Sequence, residues 1–453
     1  MVAILFLNYG ATKPLQAQEL TSDIVELSPQ DRILILAPHP DDEILGCGGI
    51  IQRAKKMNLP VKIVFLTYGD NNQWSFLVYR KHLVVMPKAV QGMGMVRHDE
   101  AIEAAKVLGL SAKQLVFLGY PDFYTFDIWS AHWGSAAPAK DMLTEAASVP
   151  YTNAFRTGAP YKGEEILKDL KAILQEFEPT KIFLSHPADH NGDHRALYLF
   201  TRVALWELGN ETKIRLYPYL IHYKNWPLPR GYHPSRRIIP PDIFKNEISW
   251  LACNLDQEEI DKKCAAIKKH RSQYQSSASY LLSFIRANEF FGDFPAVRLI
   301  SNTFEELLSA TSQDESKDIP EELLDEERAA FVGVRKYSVG IKDNNLIISV
   351  KLSRPLGKTV GVSLYAFGYR KDRDFAKMPK FHIKFGAVGH KVLNQNKILS
   401  PKLIKTKRTS KEITINIPLS LLGNPQKILT SAQTYLGEVP LDWVSWRIVE
   451  INK

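Results

Sequence analysis

Ile33-Leu34-Ile35-Leu36-Ala37-Pro38-His39-Pro40-Asp41-Asp42-Glu43-Ile44 opens the folded part of the chain. Five apolar residues run into a Pro, a His and three acids follow within five positions, and helix-compatible spacing starts at Ile44 and continues to Met57. A short unbroken apolar run bounded by turn residues is the pattern of a strand buried on both faces. The same pattern returns at Val61 to Thr67, Leu115 to Leu118 and Ile182 to Ser185, with Arg215 to Tyr223 as a later strand. Helical patterns at Ile44 to Met57, His98 to Leu108 and Glu164 to Glu176 lie between them. Strand and helix in alternation predict an α/β fold, a mostly parallel sheet with helices on both faces.

The chain has 453 residues, 45% apolar and 24% charged, enough for more than one core. No stretch approaches the roughly 20 apolar residues that a membrane-spanning helix needs. Residues 1 to 29 read as a leader: Ala3 to Leu7 is apolar and Leu15-Gln16-Ala17-Gln18 is similar to the end of a secretory signal, though no Lys or Arg precedes it. An exported location is therefore favoured over a cytoplasmic one. Cys47, Cys253 and Cys264 show no C-x-x-C spacing and read as packing residues, with a Cys253 to Cys264 bridge conceivable only on export.

Gln257 to Phe291 reads as helical, and Ser312 to Arg328, rich in Asp, Glu and Ser, reads as a linker. The divisions are thus residues 30–311, an acidic linker 312–330 and a module 331–453. In the module, Tyr337 to Lys342, Asn345 to Leu352, Thr359 to Phe367 and Glu412 to Ile417 alternate or run apolar between turn residues, which predicts an all-β sandwich. From Phe331 onward there are 22 Lys and Arg against 7 Asp and Glu, whereas the preceding residues hold 36 against 42. A basic module on a mildly acidic one suggests an anionic partner, an envelope polymer or acidic glycan, or simply a solvated face kept for solubility. Nucleic acid is disfavoured, because no recognition motif accompanies the charge.

Ligands of open parallel sheets bind beyond the carboxyl ends of the strands. The polar residues at those ends are His39, Asp41, Asp42 and Glu43, then Asp70, then Asp122, then His186, Asp189, His190, Asp193 and His194. Open zinc sites take three His, Asp or Glu ligands and leave a position to water, and His39, Asp42 and His194 fit that count. Asp41 is then placed to act as general base. The plainer reading is that Asp41 or Asp42 caps the helix at Ile44, which leaves His39 unexplained. Gly46, Gly48 and Gly49 lack the spacing of a dinucleotide loop. Aromatic residues crowd the long segment Pro121 to Lys162, where they either stack on sugar rings or pin the segment to the core.

Leu36-Ala37-Pro38-His39-Pro40-Asp41-Asp42-Glu43 with Asp193-His194-Arg195 resembles the PIG-L/LmbE family of zinc-dependent de-N-acetylases. Arg97-x-x-Glu100, Leu108-Gly109, Phe117-Leu118-Gly119-Tyr120-Pro121-Asp122, Leu216-Tyr217 and Lys269-His270-x-Ser272-Gln273 extend the likeness over roughly residues 30 to 300. The resemblance implies a Rossmann-like sheet without a dinucleotide, zinc or another divalent metal on His39, Asp42 and His194, and Asp41 as general base. It implies Arg97 and Asp122 facing an N-acetylglucosamine-containing glycan, glycolipid or glycoside, with Asp189 beside them. Glu43 and Asp193 are expected behind the ligands, with Asp193 orienting His194 through its second nitrogen. Where many relatives carry a His three residues before the ligand His, this chain has Asn191. Either His190 takes the general-acid role, or Asn191 donates to the oxyanion and Asp41 returns the proton. Competing readings are an amidase acting on another N-acyl substrate such as a thiol conjugate, and a non-catalytic protein that binds glycans or surfaces.

Overall fold

The computed structural model describes residues 25–71, 86–309, 319–321, 323–437 and 439–452. Most of the leader, residues 72–85 and much of the acidic stretch lie outside these residues.

Five strands, β1 (Ile33–Ala37), β2 (Val61–Thr67), β3 (Leu115–Tyr120), β4 (Lys181–Ser185) and β5 (Arg215–Tyr219), form one sheet in the order β3-β2-β1-β4-β5. All neighbours in it are parallel. Strand residues alternate between two cores as the pleat requires. Ile33, Ile35 and Ala37 enter one with α1 (Asp42–Lys56) and α2 (Pro87–Val107). Leu34 and Leu36 enter the other with α4 (Gly163–Phe177) and α5 (Gly192–Leu208). A short α3 (Thr125–Ala131) lies within the aromatic segment. Each large apolar side chain fully buried here contributes about 1.5–3 kcal/mol. The chain reverses direction across the sheet between β1 and β4, so the loops after these two strands flank the crevice where such folds bind ligands.

Two sequence expectations need correction. The strand expected over Arg215 to Tyr223 ends at Tyr219. The region read as helical from Gln257 to Phe291 holds α6 (Gln257–Ile267) and α7 (Arg271–Leu282) and then a strand, Asn288–Phe291, paired with Leu251–Asn254. Its Phe290-Phe291 pair suits a buried strand, and both residues are buried in the first core.

The basic region folds into two mainly antiparallel sheets facing each other across one apolar core, as its alternation predicts. Val297–Leu299 and Phe304–Ser309, which precede the acidic stretch, also pair into these sheets. Lys405, Lys407 and Arg408 sit on the exposed edge strand Lys405–Arg408, where charge blocks the addition of foreign strands, so part of the basic excess has a local role. Tyr365, Phe367, Phe375 and Trp446 from this half join Trp129, Trp133 and Phe200 in the second core. Trp129 stands 5.3 Å from Phe375 and 5.1 Å from Phe200, which is why most of the aromatic segment is buried: it pins the β half to α5.

All three cysteines are buried free thiols, so the Cys253 to Cys264 bridge does not form. No helix among the described residues is long and apolar enough to cross a membrane.

His186, at the end of β4, is buried against Trp250, Phe244 and Phe294. Burial pushes its pKa down to about 3 from the ordinary 6.5. The unfolded chain therefore binds a proton between pH 6.5 and 3 that the folded chain does not, and stability is lost as pH falls through that window. At pH 5 the loss from this one group is about 2 kcal/mol. Urea unfolding of the wild type and His186→Gln at pH 7 and pH 5 checks this: the wild type is expected to lose more stability, and equal losses would contradict it.

Candidate active site

The loop after β1 is held in an unusual shape. Asp41 occupies the N-cap position of α1 at φ 126°, yet its side chain makes no capping hydrogen bond. Its backbone N–H donates to Glu43 Oε2 at 2.9 Å, and its carboxylate lies 3.4 Å from the Arg97 guanidinium. Capping therefore does not account for Asp41. Arg97, buried on α2, also donates to the carbonyls of Pro40 (2.6 Å) and Gly69 (2.8 Å), tying the loop after β1 to the loop after β2. A Cβ at Gly69, where φ is +65°, would meet the guanidinium at 2.3 Å. Burial raises the Asp41 pKa to about 6, with Asp42 and Glu43 adding to the rise and Arg97 opposing it.

His39, Asp42 and His194 come together from two loops that lie about 150 positions apart in the sequence. Asp42 Oδ2 is 3.2 Å from His39 Nδ1 and 3.1 Å from His194 Nε2, and all three side chains are buried. Their candidate donor atoms all lie within 4.8 Å of one another. Both ring nitrogens of His194 are buried without a hydrogen-bond partner, although carboxylate oxygens stand 3.1 Å away. Buried polar groups are normally paired, and two imidazole nitrogens that converge on one carboxylate oxygen, the His39 one hydrogen-bonded to it and the His194 one not, suit a shared cation. The residues present thus fit a divalent ion with two imidazoles and one carboxylate.

The remaining nitrogens of the two imidazoles are braced by carboxylates, and here the expectation for Asp193 is corrected. Asp193 Oδ2 meets His39 Nε2 at 3.1 Å, joined by Asp122 Oδ1 at 2.9 Å, while His194 Nδ1 is met at 3.1 Å by Asp189. Asp193 opens α5 and lies one residue from His194, so its side chain is directed across to the neighbouring loop. There it also accepts from Thr125 Oγ1 (2.5 Å) and from the backbone N–H groups of Thr125 (3.0 Å) and Phe123 (2.6 Å). Asp189, expected at the substrate, is completely buried and accepts from the N–H groups of Asn191, Ile221 and His222. His39, Asp122 and Asp193 also lie close enough to hold an ion, but these two carboxylates already brace the far nitrogen of His39. Burial works against charge on both imidazoles, yet the carboxylates prevail: His39 is raised well above the usual range and His194 to about 9. The cluster calls for positive charge.

A cavity of about 100 Å³ opens beside this cluster, lined by His39, Asp41, Arg97, Asp122, Phe123, Asn191, His222 and Gln273. His190 is not among them. Its ring packs 3.9 Å from Trp443 and 4.6 Å from Tyr223, and burial holds its pKa well below the usual range, so the general-acid role considered for it has no geometric support. Asn191 does border the cavity. Its Oδ1 caps α5 by accepting from Asp193 N–H at 2.8 Å, which leaves its amide N–H groups as donors. His222, not selected from the sequence, lies just beyond β5, with its ring 4.8 Å from His194 and its Nδ1 3.0 Å from the Tyr280 hydroxyl. Reading the strand through to Tyr223 hid it; the strand-end rule applied at Tyr219 would have exposed it.

The last sequence motif supports the first from behind. His270 Nε2 lies 3.4 Å from Glu43 Oε1, Ser272 donates through N–H and Oγ to Glu100, and Gln273 lines the cavity. The C-terminal half supports it as well: Arg195 lies between the rings of Phe126 (5.1 Å) and Trp443 (5.0 Å). Phe123 is the most exposed ring of the aromatic segment, 57% against 39% for Phe155, and sits at φ +65°, a conformation that costs a bulky residue about 1–2 kcal/mol.

Residues 34–205 match the PIG-L family, described as GlcNAc-PI de-N-acetylase. The chain is 24% identical over 241 residues to an uncharacterized deacetylase, YaiS, of Escherichia coli (strain K12), an alignment covering 53% of this chain and 90% of that one. Among solved structures, the conserved protein TT1542 from Thermus thermophilus is 22% identical, with 56% of this chain and 84% of that one covered and a TM-score of 0.33. N,N'-diacetylchitobiose deacetylase from Pyrococcus horikoshii is 19% identical, with 58% and 82% covered and a TM-score of 0.36.

Proposed function

We propose that this chain, whose residues 34–205 form a PIG-L family domain, is a metal-dependent hydrolase that removes the acetyl group from an N-acetylated sugar, with His39, Asp42 and His194 as the metal ligands. The observation that carries the reading is the convergence of those three side chains beside a cavity whose wall also holds Asp41. Zinc, or another divalent ion in its place, would supply Lewis acidity toward the acyl oxygen and toward water.

The chain's own residues account for the rest. Asp41 accepts a proton from the attacking water, and that oxygen adds to the acyl carbon. Arg97, bound to two carbonyls and next to Asp41, fixes the direction of its carboxylate. Asn191 and His222 border the same cavity and are placed to donate hydrogen bonds to the negative charge that develops on the acyl oxygen. The C–N bond then breaks, and the leaving nitrogen takes the proton carried by Asp41, giving acetic acid, which ionises to acetate by losing its proton to solvent, and a free amine. Asp193 and Asp122 hold the His39 ring, and Asp189 holds the His194 ring.

The test is mass spectrometry of N-acetylated glycans, glycosides and glycolipids incubated with the purified protein. Loss of one acetyl group that stops on chelation and returns with metal supports the reading. Turnover confined to non-sugar amides would move the substrate assignment to another N-acyl class, and no turnover of any amide by metal-loaded protein would overturn the enzymatic reading.

A further inference from the structure

Of the eight side chains around the cavity among the described residues, seven are polar and one is not. The exception, Phe123, shows three features together. Its ring is more than half exposed, in a segment whose other large aromatics are mostly buried. Its backbone holds the left-handed conformation, φ +65°, which a bulky side chain rarely adopts. That conformation is fixed from outside, because its N–H donates at 2.6 Å to the carboxylate of Asp193, the same group that braces His39. Strain of this kind persists where the surroundings over-determine it, and it clusters at ligand sites. The exposed ring, held in spite of this strain, stands 6.2 Å from the ring of His39 at the edge of the cavity.

We propose that Phe123 sets substrate specificity by presenting its ring to the C–H face of the pyranose that bears the acetamido group, holding that ring while the amide enters the polar cavity; this rests on the deacetylase reading. The chemistry of the wall favours a sugar. The polar residues can pair with hydroxyls and the amide, and a pyranose also has an apolar face that Phe123, the one apolar side chain among the described residues of the wall, can cover. The high exposure places this contact at the mouth, outside the position of the acyl carbon. Phe123 is therefore expected to act on binding and leave the chemical step alone.

Phe123→Gly removes the ring and suits the backbone, since glycine adopts φ +65° freely, so a loss of folding is not expected to obscure the result. Phe123→Tyr keeps the ring. Relative to wild type, Phe123→Gly is expected to raise KM for a methyl N-acetylglucosaminide by about 3- to 10-fold with kcat within about twofold, and Phe123→Tyr is expected to match wild type. For an acyclic N-acetyl amine, the glycine variant is expected to equal wild type. A readout independent of turnover is saturation-transfer NMR on the protein with metal chelated, where contacts from aromatic protons to the ring protons of the glycoside are expected in wild type and lost in Phe123→Gly. Turnover with unchanged KM and unchanged saturation transfer in the glycine variant overturns the proposal and leaves the deacetylase reading intact. Ring contact without turnover does the reverse, and a wild type that neither binds nor cleaves the glycoside overturns both.

Discussion

Asp41→Asn is expected to lower turnover on an N-acetyl substrate by about 10²- to 10⁴-fold while leaving bound metal and thermal midpoint close to wild type. The reasoning is geometric. Asp41 makes no helix-capping bond, and among the described residues its carboxylate pairs with the Arg97 guanidinium at 3.4 Å, so an amide of the same shape removes little structure. It lies next to the ligand Asp42 in sequence and on the cavity wall, but it does not belong to the cluster of donor atoms. Burial and the neighbouring acids raise its pKa to about 6, against the pull of Arg97. His222→Ala is expected to lower turnover as well, whereas His190→Ala, whose ring lies against Trp443, is expected to change stability more than rate. Steady-state kinetics with metal analysis on the three variants checks this. A rate within about threefold of wild type for Asp41→Asn would remove the general base from the account.

Glu289→Ala is expected to destabilise the protein by about 3–5 kcal/mol. Lys263 and Glu289 form an ion pair at 2.7 Å with both side chains almost wholly buried. The pair reaches into the backbone of α1: Glu289 accepts from the N–H of Gly49 (2.8 Å), and Lys263 donates to the carbonyl of Leu45 (2.9 Å). Gly48 and Gly49 make this approach possible, since a Cβ on Gly48 would meet Lys263 at 2.9 Å and one on Gly49 would meet Leu255 at 2.2 Å. Removing the carboxylate leaves a buried ammonium without its counter-charge and takes an acceptor from the Gly49 N–H, which is the costly way to break such a pair. The double variant Lys263→Met with Glu289→Leu is expected to recover much of the loss, because an apolar pair strands no charge. Urea unfolding of the single and double variants measures both effects. A loss below about 1 kcal/mol for Glu289→Ala would show that the pair does not anchor α1, the helix that begins at the ligand Asp42.

The parallel sheet and the first ligand loop were legible because their signals are local. An unbroken apolar run marks a strand buried on both faces, and residues at the carboxyl ends of strands meet in space whatever their distance in sequence. That rule found His39, Asp42 and His194 together. It failed where an element ended earlier than its composition suggested: Leu220 and Ile221 prolong the apolar run past Tyr219, so His222 read as strand interior. It also cannot assign partners. Asp193 looks paired with His194 by adjacency, yet the start of α5 directs its carboxylate to His39, and Asp189 takes the place at His194. The Lys263–Glu289 pair carries no sequence signal, because its meaning depends on α1 packing against two later elements. Likewise, Trp129 and Trp133 resemble a sugar platform until the β half supplies Phe375 and Trp446 to bury them.

The central claim, one divalent ion shared by His39, Asp42 and His194, is tested most directly by elemental analysis of wild type, His194→Ala and Asp41→Asn after equilibration with zinc and removal of excess. About one equivalent per chain is expected in wild type and in Asp41→Asn, with most of it lost in His194→Ala. A full equivalent in His194→Ala, or none in wild type, would contradict the account.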